Sequence, residues 1–299
     1  MQKVDNTLRA FEYRSDVTGL RGLAILLVLM FHYFPHLFPQ GFLGVDIFFV
    51  ISGFVISSIL LAEISNTGKL NLKTFYLKRI RRLFPSLFIV LLASNLFSFV
   101  YYIPTEVYDH AEQVIASVFY WQNFLMLTKV GYFDSEAKLK PLLHLWSLGV
   151  ESQFYVLAPL LCLVLATRKK TFVYCLVFMF LSSLWLTLLL HRDNPETVFY
   201  MPFTRAWEFL AGSFVALVKN KFLVVSRGKN YKTVTLDVSI ILFLIAIFVI
   251  TVLPSKSNAF PVKEVFVVVV LTSFTLCSSG SIAHRLILQS KIFIFLGRI

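Results

Sequence analysis

The sequence predicts an all-α fold, a polytopic integral membrane helix bundle with about eight spans. Three observations predict it. Apolar residues make up 58% of the chain and charged residues only 15%, where a soluble domain carries about 25% charged. The apolar residues gather in runs close to the length needed to cross a bilayer, about 20 residues. The charges gather in short basic clusters between those runs. A net charge of +12 arranged as a surface stripe would suit nucleic acid, but confined to connections it sets membrane topology. The expected surrounding is therefore a lipid bilayer, and no nucleic-acid partner is expected.

The first candidate span, 17–35, follows a largely polar segment and has no small-residue cleavage site behind it. It reads as a retained span, not a removable signal. The second, 44–62, opens on Gly44-Val45-Asp46, and the third, 83–103, follows the basic run Lys78-Arg79-Ile80-Arg81-Arg82. A long connection at 104–141 comes next, in which Val107 to Leu127 has the pattern of an interfacial amphipathic helix. The remaining spans are 142–166, 171–190, 204–218, 234–253 and 264–281, of which the sixth is short and carries Arg205 and Glu208. No internal repeat or second soluble domain interrupts the series, so residues 1–299 read as one membrane domain. The three cysteines, Cys162, Cys175 and Cys277, lie in apolar runs without metal-ligand spacing, and no metal site is expected.

Orientation follows from the basic residues. With the N-terminus in the cytoplasm, 21 of the 28 Lys and Arg fall in inside segments. The connections 63–82, 167–170 and 219–232 are then cytoplasmic, and 104–141 is external.

Ionisable residues inside spans are costly and suggest function. Arg21 and His32 stand eleven residues apart in the first span. At about 100° per residue that leaves roughly 20° of net rotation, so one helix face carries both, separated by about 16 Å of rise. The plain readings are a snorkelling anchor for Arg21 and an interfacial histidine for His32. Asp46, Glu151, Arg205 and Glu208 are further intrusions. Asp46 lies near an interface. Glu151 is deeper and harder to explain as an anchor. Arg205 and Glu208, three apart, share a face and could neutralise each other. Arg79 and Arg82, one turn apart, are either a topology signal or a cradle for phosphates.

Cytosolic cations beside a polar membrane pathway suit a phosphate-bearing donor. A histidine on that pathway suits removal of a hydroxyl proton. A carboxylate, Asp46 or Glu151, could fix the tautomer and stabilise the imidazolium. The pattern points to transfer of a group from a cytosolic donor to an acceptor at the outer face. A proton-coupled transporter uses the same residue types.

At these residues the chain resembles the acyltransferase-3 family of membrane O-acyltransferases. The resemblance begins at Tyr13-Arg14-Ser15-Asp16-Val17-Thr18-Gly19-Leu20-Arg21-Gly22, and Arg21 with His32 matches the family's arginine–histidine pair. It continues through Gly41-Phe42-Leu43-Gly44-Val45-Asp46-Ile47-Phe48-Phe49 and the pair Arg79 and Arg82. It extends through Trp146-Ser147-Leu148-Gly149-Val150-Glu151-Ser152-Gln153-Phe154-Tyr155 and Arg205-Ala206-Trp207-Glu208. Thr18, Leu145 and Ser152 depart from common family residues without touching the pair.

The resemblance implies an acyl-CoA co-substrate, most often acetyl-CoA, with no bound cofactor. It implies a hydroxyl of a surface glycan or lipid-linked glycan as acceptor, lipopolysaccharide among the choices, in the bacterial inner (cytoplasmic) membrane. Arg21, Arg79 and Arg82 would hold the donor, and His32 and Glu151 would be catalytic. Asp46, Arg205 and Glu208 would shape the acceptor side. Family members continue with about two more spans, and fused ones add an SGNH hydrolase-like domain, so the resemblance also implies a C-terminally incomplete chain. The alternatives are a glycan transporter or flippase, and an inactive truncated relative.

Overall fold

The computed structural model describes residues 14–129, 140–165, 168–222, 233–253, 260–277 and 284–298. The ends of the fourth and eighth expected spans (166 and 278–281), residues 130–139 of the connection 104–141 and residues 223–232 of the connection 219–232 lie outside the described residues. So do Lys3 and Arg9. Every regular element among the described residues is helical, and the helices follow the order of the expected spans. They are α1 (Ser15–Tyr33), α2 (Gly44–Thr67), α3 (Leu72–Tyr101), α4 (Pro104–Val118), α5 (Gln122–Lys129) and α6 (Leu145–Leu165). Then come α7 (Lys169–Leu190), α8 (Pro195–Tyr200), α9 (Pro202–Phe222), α10 (Thr233–Val252), α11 (Val262–Cys277) and α12 (Lys291–Arg298).

Among the described residues, five helices are long and apolar enough to cross a membrane, and they are the first five expected spans. α9 and α10 fall on the sixth and seventh expected spans, and α11 on the described part of the eighth. Arg205, Glu208 and Lys219 interrupt the apolar run of α9.

Two expectations are revised. α3 starts eleven residues before the expected span, so the basic run at 78–82 is helical. Asn71 caps it, its Oδ1 accepting from the Thr74 N–H at 3.0 Å. The 30 residues of α3 rise about 45 Å, longer than the hydrocarbon core, so one helix carries both the apolar span and its basic stem. The continuous helix expected over Val107 to Leu127 is instead two, because Tyr120 takes a left-handed φ of 58° between α4 and α5. Lys129 at the end of α5 bonds back to Asp109 on α4 at 2.8 Å and also to Glu112. The Lys129 ammonium holds the Asp109 carboxyl below its ordinary value.

The chain divides into two compact units, Met1–Leu61 with Trp207–Ile299, and Ala62–Ala206. In the first, α2 and α9 approach backbone to backbone. A Cβ on Gly53 would lie 1.9 Å from the Phe209 carbonyl oxygen, and one on Gly212 2.0 Å from that of Val50. Small residues permit such contact, the usual basis of helix association in lipid. Ser57 Oγ donates to Ser213 Oγ at 2.8 Å, and Phe49 stacks on Phe209 at 4.5 Å. α12 seats on α1 in the same manner, with Gly22 against the Phe293 carbonyl and Gly297 against that of Thr18. Gln40, between α1 and α2, donates from Nε2 to the Leu253 carbonyl at 2.7 Å and from its backbone to Thr251 at 3.2 Å.

In the second unit α3 and α6 run antiparallel. Leu87 and Leu91 cluster with Leu142 and Leu145, while further along Tyr76 Oη donates to the Val156 carbonyl at 3.2 Å. Residue numbers fall on α3 as they rise on α6. The outer faces of α3 and α7 expose Phe88, Ile89, Leu92, Tyr174, Phe178 and Trp185. A soluble protein buries such residues, and a bilayer solvates them.

Candidate active site

The antiparallel register of α3 and α6 brings two of the sequence-predicted residues into one cluster. Arg79, half-buried, lies seven residues into α3, about 10 Å along its axis. Its guanidinium sits over the Tyr155 ring of α6 at 5.1 Å and over Phe75 of its own helix at 5.6 Å. Tyr155 is 8% exposed, and its hydroxyl donates to Glu151 Oε1 one turn earlier. Arg79 and Glu151 thus meet through Tyr155. Arg82, one turn further along α3, is exposed, so the two arginines have unlike surroundings.

The Leu145 end of α6 is bound to its neighbours by buried amides. Gln153 Nε2 donates to the Tyr120 carbonyl at 3.0 Å and to Asn123 Oδ1 at 2.9 Å. Asn123 Nδ2 donates to the Tyr200 carbonyl at 3.1 Å. Trp146 packs on Phe199 at 4.3 Å and on Tyr200 at 5.5 Å. Arg205 is 1% exposed, with its guanidinium over that same Phe199 at 5.7 Å. Thr187 Oγ1 donates to the Thr204 carbonyl at 2.5 Å and fixes the start of α9. An aromatic floor under an arginine is a cation–π setting.

The other predicted residues belong to the first unit. α1 is unbroken from Ser15 to Tyr33, so Arg21 and His32 share a face as the spacing requires. Arg21 is half-buried and His32 is exposed in the last turn of α1. The His32 Nδ1 lies 2.7 Å from the Val28 carbonyl oxygen. A carbonyl only accepts, so Nδ1 carries the proton and Nε2 presents its lone pair. The sequence left Asp46 or Glu151 to fix this tautomer. The structure gives that place to a backbone carbonyl of α1 itself, one turn before His32 and within reach of its side chain.

Asp46 is 1% exposed in the first turn of α2, where the helix dipole favours a carboxylate. Glu208 is 0% exposed on α9. Both flank the α2–α9 contact, since Phe49, one turn after Asp46, stacks on Phe209, the neighbour of Glu208. Arg205 and Glu208 share α9 but fall in different units.

Sequence reasoning passed over Tyr155 although it stands one helical turn from Glu151, the spacing at which side chains on one face meet. It passed over Gln153 and Asn123 as well, whose pairing depends on a contact between helices.

The family model described as an acyltransferase domain matches residues 14–299. The peptidoglycan O-acetyltransferase OatA of Listeria monocytogenes is 36% identical over 213 residues, covering 69% of this chain and 34% of that protein. The O-acetyltransferase OatA of Staphylococcus aureus is 33% identical over 232 residues, covering 76% of this chain and 38% of its own. The matched part of the chain thus spans between a third and two fifths of the length of these two curated relatives. No solved structure matches. Because the match takes in every sequence block from Arg14 onward, the chain belongs to the acyltransferase-3 family.

Proposed function

We propose that the chain is a membrane O-acyltransferase that moves an acetyl group from cytosolic acetyl-CoA to a hydroxyl of a cell-surface glycan. The observation that carries the reading is α1. Arg21 and His32 lie on one face of an unbroken helix, and the Val28 carbonyl holds the imidazole in the tautomer whose Nε2 accepts a proton. The glycan hydroxyl gives its proton to His32 Nε2 as its oxygen attacks the thioester carbonyl. The carbon–sulfur bond breaks, and the thiolate leaves and takes up the proton. Arg79, Arg82 and Arg21 bind the donor's phosphates on the cytoplasmic side. Glu151 supports the reacting groups, and Asp46, Arg205 and Glu208 shape the acceptor side. The Listeria relative is named for peptidoglycan. That makes peptidoglycan the acceptor to test before lipopolysaccharide.

The test is His32→Ala, with glycan acetylation normalised to folded protein and donor binding measured beside it. Loss of a general base costs on the order of 10²- to 10⁴-fold in rate, and donor affinity should hold. The assay should use the chain as given and a chain extended to the length of its relatives. Normal transfer by both variants refutes the mechanism. A transporter would move glycan without consuming acetyl-CoA.

A further inference from the structure

We propose that Tyr155 is a positioning residue that couples the donor arginine Arg79 to the carboxylate of Glu151; this rests on the acyltransferase reading above. One side chain makes both contacts. Its ring face takes the Arg79 guanidinium at 5.1 Å, and its hydroxyl donates to Glu151 Oε1. Phe75 supplies a second ring to the same cation at 5.6 Å. A cation–π contact uses none of the guanidinium's N–H donors, so Arg79 keeps them for a phosphate. An anion arriving there competes with the rings for the cation. Any movement of Arg79 is passed to the Tyr155 ring, and through its hydroxyl to Glu151, because the ring is buried and closely packed. The phenol O–H also fixes the direction in which the carboxylate points.

The coupling crosses from α3 to α6. It is held in register by Leu87 and Leu91 against Leu142 and Leu145 at one level and by Tyr76 against Val156 at another. Occupancy of the donor site is thereby made known to a catalytic carboxylate on a different helix.

Two substitutions separate the two contacts. Tyr155→Phe keeps the ring and removes the hydroxyl. Acetyl-CoA affinity should stay within about twofold of wild type while kcat falls roughly 10- to 100-fold, the weight of a hydrogen bond to a charged group. In a Glu151→Gln background the same change should have no further effect on kcat. Tyr155→Leu removes the ring too and should also weaken acetyl-CoA binding severalfold. Donor binding by each variant reports that it is folded. Tyr155→Phe with wild-type kcat overturns the coupling, even if His32→Ala and Arg79→Ala abolish transfer. Additive effects of Tyr155→Phe and Glu151→Gln overturn it as well. Wild-type protein that binds acetyl-CoA yet never transfers from it refutes the acyltransferase reading and the coupling with it.

Discussion

Gly212 offers the most direct test of how the first unit is held together. A Cβ at this position would lie 2.0 Å from the Val50 carbonyl oxygen, 2.6 Å from the Phe54 nitrogen and 2.9 Å from the Val50 carbonyl carbon. All three are backbone atoms, so no rotamer change relieves the clash. A comfortable carbon–oxygen contact is about 3.3 Å, and α2 and α9 would have to part by about 1.3 Å to reach it. Overpacking of this kind costs about 1–3 kcal/mol. The same displacement would stretch the Ser57–Ser213 hydrogen bond, now 2.8 Å, and unseat Phe49 from Phe209. Asp46 lies one turn from that stack, and a shift of about 1 Å at a reacting centre can cost on the order of 100-fold in rate. Gly212→Ala should therefore lower the melting temperature in detergent by several degrees and reduce transfer sharply. Val50→Ala should not rescue it, because the obstructing atoms are main chain. Gly68→Ala is the control. Gly68 has a φ of +67° and nothing within 4 Å of its added Cβ, so the cost is conformational, roughly 1–2 kcal/mol, and transfer should be unchanged. A Gly212→Ala protein that melts and transfers like wild type would falsify the close α2–α9 packing.

Three further outcomes follow from other parts of the molecule. His110 on α4 is 2% exposed with Nε2 3.3 Å from Ser94 Oγ, and burial holds its pKa below 6.5. The unfolded chain takes up that proton first, so stability is full above pH 6.5 and falls as pH drops below it, and melting curves of His110→Gln should lack this slope; equal slopes refute the assignment. Arg82→Ala should weaken acetyl-CoA binding without altering melting, because Arg82 is exposed, whereas Arg79→Ala should do both, because its guanidinium lies over the Phe75 and Tyr155 rings; identical behaviour of the two counts against their distinct surroundings. With the native cysteines replaced, Lys73→Cys should resist labelling from outside whole cells and Tyr108→Cys should react; the reverse pattern inverts the topology.

The helices were legible because lipid leaves a chain few options. A run of about 20 apolar residues must satisfy its backbone internally, and a helix does so without reference to any neighbour. The first five spans and the shared face of Arg21 and His32 follow from that rule alone. Boundaries were less legible where charge and helix overlap. The run Lys78-Arg79-Ile80-Arg81-Arg82 reads as a connection by hydropathy, yet Asn71 caps a helix that carries it. The break at Tyr120 left no mark in the apolar pattern, because a left-handed residue changes direction without changing polarity.

The sequence by itself determined an all-α membrane protein, the order of its helices and the residue types with which it could do chemistry. Those are properties of single segments, set by local hydropathy and by the helical period. Only the tertiary structure decided which of those residues meet. Nothing in the spacing of Arg79 and Glu151, on different helices, says that Tyr155 stands between them, or that Asn123, Gln153 and Tyr200 join three helices. The same holds for Gly53 and Gly212, which read as ordinary small residues until α2 and α9 cross. Such pairings depend on register between segments far apart in the chain. The van der Waals fit of facing surfaces sets that register, and no single segment encodes it.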